Sequence, residues 1–269
     1  MRILFKTLIV VVLFVQQSGA AYAWGAQGHR LIVEMAMALL TPTAKQHVMN
    51  ILNGYPIDDA AVWMDSVREN KIPEWAYMRE WHFLNMDPGQ TYAEVASDSD
   101  VVFRLDQVIK ELEHPDAIPA DSLPIKLRVL FHLMGDITQP LHVGYGYDEG
   151  GNTVKVRTAK FNTSGNELHA VWDGIIIKEG KINLQSSLAY YHGLDQDKLN
   201  SIIAGSTQDW MMQARSYLSS VYNFQLVKDG VAQLSLQYLD SNVPVVQQQI
   251  VFAAVRLANT LNTVFGSQS

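Results

Sequence analysis

The stretch FHLMGDITQPLHVGYGYDEGGN, Phe131 to Asn152, decides how this chain is read. It holds His132, Asp136 and His142 close together. His132 and Asp136 are four apart, so on a helix they stand one above the other on the same face. Pro140 cannot continue that helix, and His142 follows just past the stop. Two imidazoles and a carboxylate converging at a helix end have the character of metal ligands. What the rest of the chain sends to that spot then becomes the question.

Working outward, Pro124 to Gln139 reads as the helix that carries the pair. Upstream, apolar residues at helical spacing predict helices over Gln27–Leu40 and Asp98–Leu112. Thr41 caps a helix that has Pro42 at its first position and ends at Asn53-Gly54. Another helix spans Asp58 to about Glu69 and carries Trp63, Asp65 and Arg68. Ile72 to Gln90, with Pro73, Pro88 and His82, shows no clean period and reads as irregular. Downstream, Gly150-Gly151 makes a turn. Thr153–Arg157 alternates as a short strand, with Thr158–Asn162 as its returning partner. Asn166–Ile177 reads as a helix with His169 and Asp173 again four apart. Further helices are expected over Leu199–Ala204, Thr207–Tyr222 and Val231–Tyr238, and Pro244 is read as opening a last helix through Phe265. No internal repeat or linker interrupts this order. The expected fold is one mainly α domain with a small β-hairpin.

The 269 residues are 48% hydrophobic, enough to bury a sizeable core. Residues 1–23 read as a secretory signal peptide. Arg2 and Lys6 give a basic start, Leu8–Val15 is a short apolar run, and Ala21-Tyr22-Ala23 is a small-x-small cleavage site. The processed chain, 24–269, would begin at Trp24, and no later stretch is apolar enough to span a membrane. Cysteine is absent, which excludes disulfides, thiolate metal sites and cysteine nucleophiles. The net charge is −7, and losing Arg2 and Lys6 makes it more negative. That argues against a sequence-independent duplex binder. Bound divalent cations would reverse the sign locally, so a phosphate substrate stays possible.

The chain has eight histidines. His132, His142 and His169 sit near helix ends beside carboxylates, His29 lies just after the predicted new N-terminus, and His82 follows Trp81. His47, His114 and His192 have ordinary settings. Any one His-x-x-x-Asp pair is equally readable as a hydrogen bond inside a core. The case for metal rests on repetition: two such pairs, a histidine after a helix stop and a carboxylate on a Trp-bearing helix. Nitrogen and carboxylate ligands without thiolates suit zinc, and sites with three protein ligands leave a position open for catalysis.

In order along the chain stand Trp24-Gly-x-x-Gly-His29, Trp63-x-Asp65-x-x-Arg68, Trp81-His82-Phe83 and His132-x-x-Gly135-Asp136-Ile-x-Gln139-Pro140-Leu141-His142. They are followed by Asp148-x-Gly150-Gly151-Asn152, Asn166-x-Leu168-His169-x-x-Trp172-Asp173 and Arg256-Leu257-Ala258-x-x-Leu261-Asn262. In these motifs the chain resembles, over nearly its whole processed length, the zinc-dependent single-strand nucleases of the S-one/P-one nuclease family. The resemblance implies a single helical domain of the phospholipase C and single-strand nuclease type, holding three zinc ions. Asp65, His82, His132 and Asp136 would hold the first. His142, His169 and Asp173 would hold the second. Trp24, through its freed amine and its carbonyl, would join His29 and Asp136 on the third.

The resemblance further implies hydrolysis of RNA and single-stranded DNA to 5′-phosphorylated products, together with 3′-nucleotidase activity. A hydroxide bridging the first two zincs would attack phosphorus, with Asp65 catalytic as a ligand of that pair. Arg68 would steady the charge that develops. Phe83 matches the position where the family stacks a base, and core packing is its other reading. Asn85 stands where fungal members carry Asp, so base preference is expected to differ. Asn152 is expected to shape the site beside the glycine turn. Fungal members also have disulfides, absent here, so metal would carry more of the stability. Asn162-Thr163-Ser164 is a glycosylation sequon. A monomer, secreted or periplasmic, is expected. Two other readings remain at this stage: a zinc-dependent phospholipase C, and a zinc-binding protein without catalysis.

Overall fold

The structure is a computed structural model describing residues 24–158, 166–227 and 229–266. The predicted signal peptide, most of the predicted return strand at 158–162 and the sequon lie outside the described residues. The helices are α1 (Gly25–Ala38), α2 (Pro42–Leu52), α3 (Ile57–Ala61), α4 (Trp63–Glu69), α5 (Tyr92–Val95), α6 (Val101–Leu112) and α7 (Leu123–Asp136). They continue with α8 (Leu168–Ala170), α9 (Ile176–Glu179), α10 (Leu184–His192), α11 (Gln196–Ile203), α12 (Thr207–Arg215), α13 (Leu218–Val221) and α14 (Leu236–Phe265). The mainly helical architecture is the one the periodicity predicted.

The core is a sandwich of α1, α7 and α14, whose facing residues are buried together. Leu31, Ile32 and Met35 on α1, Leu130, Leu133 and Met134 on α7, and Ile250, Ala254 and Leu257 on α14 are among them. Thr41 caps α2 through its side chain, with Pro42 in the first turn, and Asn53 ends it in the left-handed conformation. Both follow the sequence signals. Among the described residues no helix is long and apolar enough to cross a membrane.

Several expectations need correction. The helix expected over Asp58–Glu69 is broken at Val62, whose φ of −109° leaves the helical region. The Ala61 carbonyl at that break accepts a hydrogen bond from His132, which gives the interruption a use. Val231–Tyr238 is not one helix: Ala232–Leu234 is a strand, and α14 begins at Leu236 under a Ser235 cap. Pro244 consequently lies inside α14 instead of opening it. The carbonyl deprived of an N–H partner by this proline belongs to Asp240, an exposed residue, so water can take the missing place.

The β region is larger than a hairpin. A four-stranded sheet runs in the order β2 (Asn166–Glu167), β1 (Lys155–Thr158), β4 (Ala232–Leu234), β3 (Gln225–Leu226). β1 pairs antiparallel with β2 and parallel with β4. Val156 and Thr158 are buried while Lys155 and Arg157 point out, as the alternation required. The parallel partner comes from far along the chain, where no local period announces it.

Candidate metal centre

α7 delivers His132 and Asp136 on one buried face. Around them α1 brings His29, α4 brings Asp65, and the irregular segment before α5 brings His82. Past the end of α7 comes His142. A π-helical segment, Val171–Ile175, links α8 to α9, so His169 on α8 and Asp173 in the segment share one side. Three sets of donor atoms result, each close enough to share an ion: His29, His132 and Asp136; Asp65, His82 and His132; His142, His169 and Asp173. All eight side chains are buried.

Tight backbone packing makes the approach possible. A Cβ on Gly135 would lie 2.7 Å from His29 Nδ1, so only glycine lets α7 come this near α1. His29 in turn stacks on His132 with ring centroids 3.8 Å apart. Gly150, at φ +61°, would press a Cβ into the Leu141 carbonyl. Its own carbonyl accepts from His169 Nδ1 at 2.6 Å.

The hydrogen bonds set which ring nitrogen each histidine presents. His132 Nδ1 donates to the Ala61 carbonyl at 3.0 Å, His142 Nδ1 to the His82 carbonyl at 2.7 Å, and His169 Nδ1 to Gly150. Each is thereby held with Nε2 turned inward. His169 Nε2 and His142 Nε2 face each other at 3.0 Å, and His132 Nε2 faces His82 Nδ1 at 3.1 Å. His142 and His169 are both kept neutral by burial, and two lone pairs at that distance repel unless a proton or a cation lies between them.

Carboxylates complete the sets. Asp136 lies 3.3 Å from His29 Nε2 through one oxygen and 3.1 Å from His82 Nδ1 through the other. Asp65 is 3.6 Å from His132 Nε2, and Asp173 is 3.4 Å from His169 Nε2. Asp65 Oδ2, one oxygen of Asp136, one of Asp173 and both nitrogens of His29 are buried without a hydrogen bond. Such orphaned groups normally cost about 1–3 kcal/mol each. Clustered at one point, they fit ions that would satisfy them together.

Protonation follows the same geometry. Burial pushes His29, His82 and His169 down, and pushes His142 down to about 3. Burial also drives the Asp173 carboxyl well above its ordinary range. His132 goes the other way, to about 9, because Asp136 and Asp65 outweigh its burial. Asp65 and Asp136 lie below the ordinary carboxylate range, since His132 and its neighbours outweigh their desolvation. Without a cation the cluster therefore holds its charge on His132 and its carboxylates.

Of the other residues singled out by sequence, Arg68 and Phe83 reach solvent. Arg68 reaches Asp65 Oδ1 at 2.8 Å and keeps about a quarter of its side chain in solvent (24%). Phe83 is 38% exposed, which sets aside its reading as core. Asn85 is half-buried beside Gly146. Asn152 donates to the Glu149 carbonyl at 2.8 Å and lies 3.3 Å from His169 Nδ1, so it braces the turn. Trp24 is fully buried, with its indole N–H on Thr138 at 3.1 Å, two residues past Asp136.

Two contributors escaped the sequence reading. Gln139 donates to Asp173 at 2.7 Å and accepts from the Leu141 amide, tying the second pair to the end of α7. Its place inside the opening motif was the available signal. Arg215, on α12, donates to the carbonyls of Val143, Gly144 and Met86. It clasps the two segments that carry His142 and His82, which are already joined by Leu84 N–H to the His142 carbonyl. Nothing local marks a surface arginine for that task.

A helical scaffold that gathers buried histidines and aspartates into three adjoining sets is built like a multinuclear hydrolase centre. The chain belongs to the S1/P1 nuclease family, whose pattern it matches over residues 24–266. Among curated relatives, Endonuclease 1 of Arabidopsis thaliana is 28% identical, over 96% of this chain and 92% of its own. Nuclease P1 of Penicillium citrinum is 24% identical, over 91% and 99%. Nuclease S1 of Aspergillus oryzae is 22% identical, over 92% and 94%.

Proposed function

We propose that this protein is a secreted or periplasmic zinc-dependent phosphodiesterase that hydrolyses RNA and single-stranded DNA to 5′-phosphorylated products. It would also remove the phosphate from 3′-nucleotides. The observation that carries the reading is the convergence of inward-facing imidazole nitrogens, His142 with His169 and His132 with His82, surrounded by orphaned carboxylate oxygens. Family membership and the nuclease names of the relatives support it.

Three zinc ions would be held by Asp65, His82, His132 and Asp136, by His142, His169 and Asp173, and by Trp24, His29 and Asp136. Bound there, they would supply Lewis-acid stabilisation of a phosphoryl group and an activated water. The chain's own residues do the rest. Arg68, held at its inner end by Asp65, presents a planar cation at the rim, suited to a phosphate oxygen. Phe83 offers an exposed ring for an unpaired base, and stacking tolerates any base. Asn85 and Asn152 line the same rim, the first for base contact and the second as a brace.

Residues 1–23 are assigned as a signal peptide and 24–269 as the nuclease domain. Trp24 has φ +38°, a value costly for a bulky residue. Cutting the bond before Trp24 removes that dihedral and frees an amine beside the third set.

The deciding experiment is metal analysis and N-terminal sequencing of the purified protein, with hydrolysis of RNA, single-stranded DNA and phosphatidylcholine measured in parallel. The reading expects three zincs, a Trp24 start and cleavage of nucleic acid. Asp65→Asn should lower the rate by about a hundredfold or more, as loss of a metal ligand does. Lipid cleavage without nucleic-acid cleavage would make it a phospholipase C. Metal binding without either activity would make it a zinc-binding protein.

A further inference from the structure

Trp24 is fully buried, although the expected cleavage would make it the first residue of the chain. First residues normally lie at the surface and fray. Here the side chain is wedged where only glycine fits beside it. A Cβ on Gly28 would lie 2.7 Å from the Trp24 Cβ and 3.0 Å from Ile177 Cδ1. Gly25 follows at φ +38°, and a Cβ there would lie 3.0 Å from the Asp173 carbonyl oxygen. The chain thus enters α1 pressed against the π-helical segment that carries Asp173.

The indole N–H of Trp24 donates to the Thr138 hydroxyl at 3.1 Å. That hydroxyl is not free to turn. It donates its own proton to the Gly135 carbonyl at 2.7 Å, which leaves a lone pair for Trp24. The Thr138 carbonyl in turn accepts from Gln249 of α14 at 2.6 Å, and Gln249 accepts from Gln213 of α12 at 2.7 Å. Thr138 and Gln249 are both fully buried. Arg256, from the last motif of the sequence, closes the row 3.5 Å from Gln213 Oε1.

A buried indole needs an acceptor, but any carbonyl would serve that need. What sets Thr138 apart is where its hydroxyl leads. Gly135, which it grips, is the residue whose missing Cβ admits His29. Asp136 stands two residues before Thr138, and Gln139, which donates to Asp173, stands one after it. One hydroxyl therefore joins the ring of Trp24 to the end of α7 that faces His29 and carries Asp136. Trp24, His29 and Asp136 are the three residues assigned to the third zinc.

We propose that Thr138 is a positioning residue for the third zinc, seating the Trp24 ring so that the freed amine can join His29 and Asp136. Residue 24 then has to supply an indole N–H as well as an amine. The proposal rests on the nuclease reading above. It is tested in the chain that starts at residue 24. Thr138→Val keeps the shape and removes the hydroxyl, and Thr138→Ser restores it. Trp24→Phe keeps the amine and the carbonyl but lacks the N–H. The fourth protein combines Thr138→Val with Trp24→Phe.

Zinc affinity is read ion by ion, by titration against a chelator of known affinity, and melting of the metal-free proteins is read beside it. Thr138→Val and Trp24→Phe should each weaken one zinc about tenfold or more, while the other ions stay within about twofold. The combined variant should lose no more than either single one, since both remove the same hydrogen bond. Thr138→Ser should recover most of the affinity. A merely structural role would lower the melting temperature of the metal-free protein and leave every zinc affinity alone. That result overturns the proposal, as do additive losses in the combined variant. Should Thr138→Val fail to fold, Trp24→Phe decides in the same terms. A wild-type protein that cleaves no nucleic acid, with a Thr138→Val variant that still loses one zinc selectively, sinks the nuclease reading and spares the seat.

Discussion

Arg215 offers the sharpest test of how the metal centre is held. Its guanidinium donates to three carbonyls, those of Val143, Gly144 and Met86, and it lies 5.7 Å from the Tyr145 ring. Two backbone segments meet there: the one leaving His82 and the one leaving His142. Replacing Arg215 by Met keeps the stem and removes the donors, so three carbonyls lose a charged partner. Hydrogen bonds to charged groups are worth about 1.5–3 kcal/mol each. The guanidinium is half-buried, so water can replace part of this, and a net loss of about 3 kcal/mol is the reasonable figure. For a domain of this size that corresponds to a fall in Tm of about 6–12 °C.

A second effect is specific to positioning. With the clasp gone, His82 and His142 lose their fixed separation, and zinc affinity should drop about 10–100-fold, as for other supports of metal ligands. The assay is calorimetric melting at saturating zinc, together with competition against a chelator of known affinity. Arg215→Lys, which can keep one or two of the contacts, should fall between wild type and Arg215→Met. If Arg215→Met melts within about 2 °C of wild type and holds zinc equally well, the clasp carries neither stability nor geometry, and the reasoning fails.

Three further outcomes follow from the same geometry. Gly135→Ala places a methyl against His29, which cannot retreat because it is stacked on His132. A loss of about 1–3 kcal/mol and of one zinc equivalent is expected, read by melting and metal analysis. Removing zinc should lower Tm steeply, by about 10 °C or more, because the chain has no cysteine and the orphaned carboxylates would then repel; an unchanged Tm after verified removal contradicts this. The metal-free protein should also lose stability as pH falls from about 6.5 toward 3. His142, with its folded value near 3, and the three lowered histidines then take up protons only in the unfolded chain. His132 acts outside this window, its contribution fading as pH rises through about 9, while the raised Asp173 carboxyl opposes the loss, one group against four. Melting against pH in chelator checks the sign.

Local signals made much of this protein legible. Thr41-Pro42, Asn53 and the apolar spacing of α1, α6 and α7 fixed those helices, since caps and periodicity are properties of neighbours in the chain. His132 with Asp136, and His169 with Asp173, could be seen as pairs for the same reason. The break at Val62, the strand at Ala232–Leu234 and the position of Pro244 inside α14 could not. The first two depend on a distant partner: the Ala61 carbonyl on His132, and β4 on β1.

The sequence by itself determined which side chains could bind metal, that no thiolate takes part, and that the scaffold is helical. Tertiary structure alone decided which ring nitrogen each histidine presents, because distant carbonyls at Ala61, His82 and Gly150 hold the opposite nitrogens. It alone decided that Arg215 clasps the centre. Packing brings residues more than seventy positions apart within hydrogen-bonding distance, and no pattern along the chain encodes that meeting.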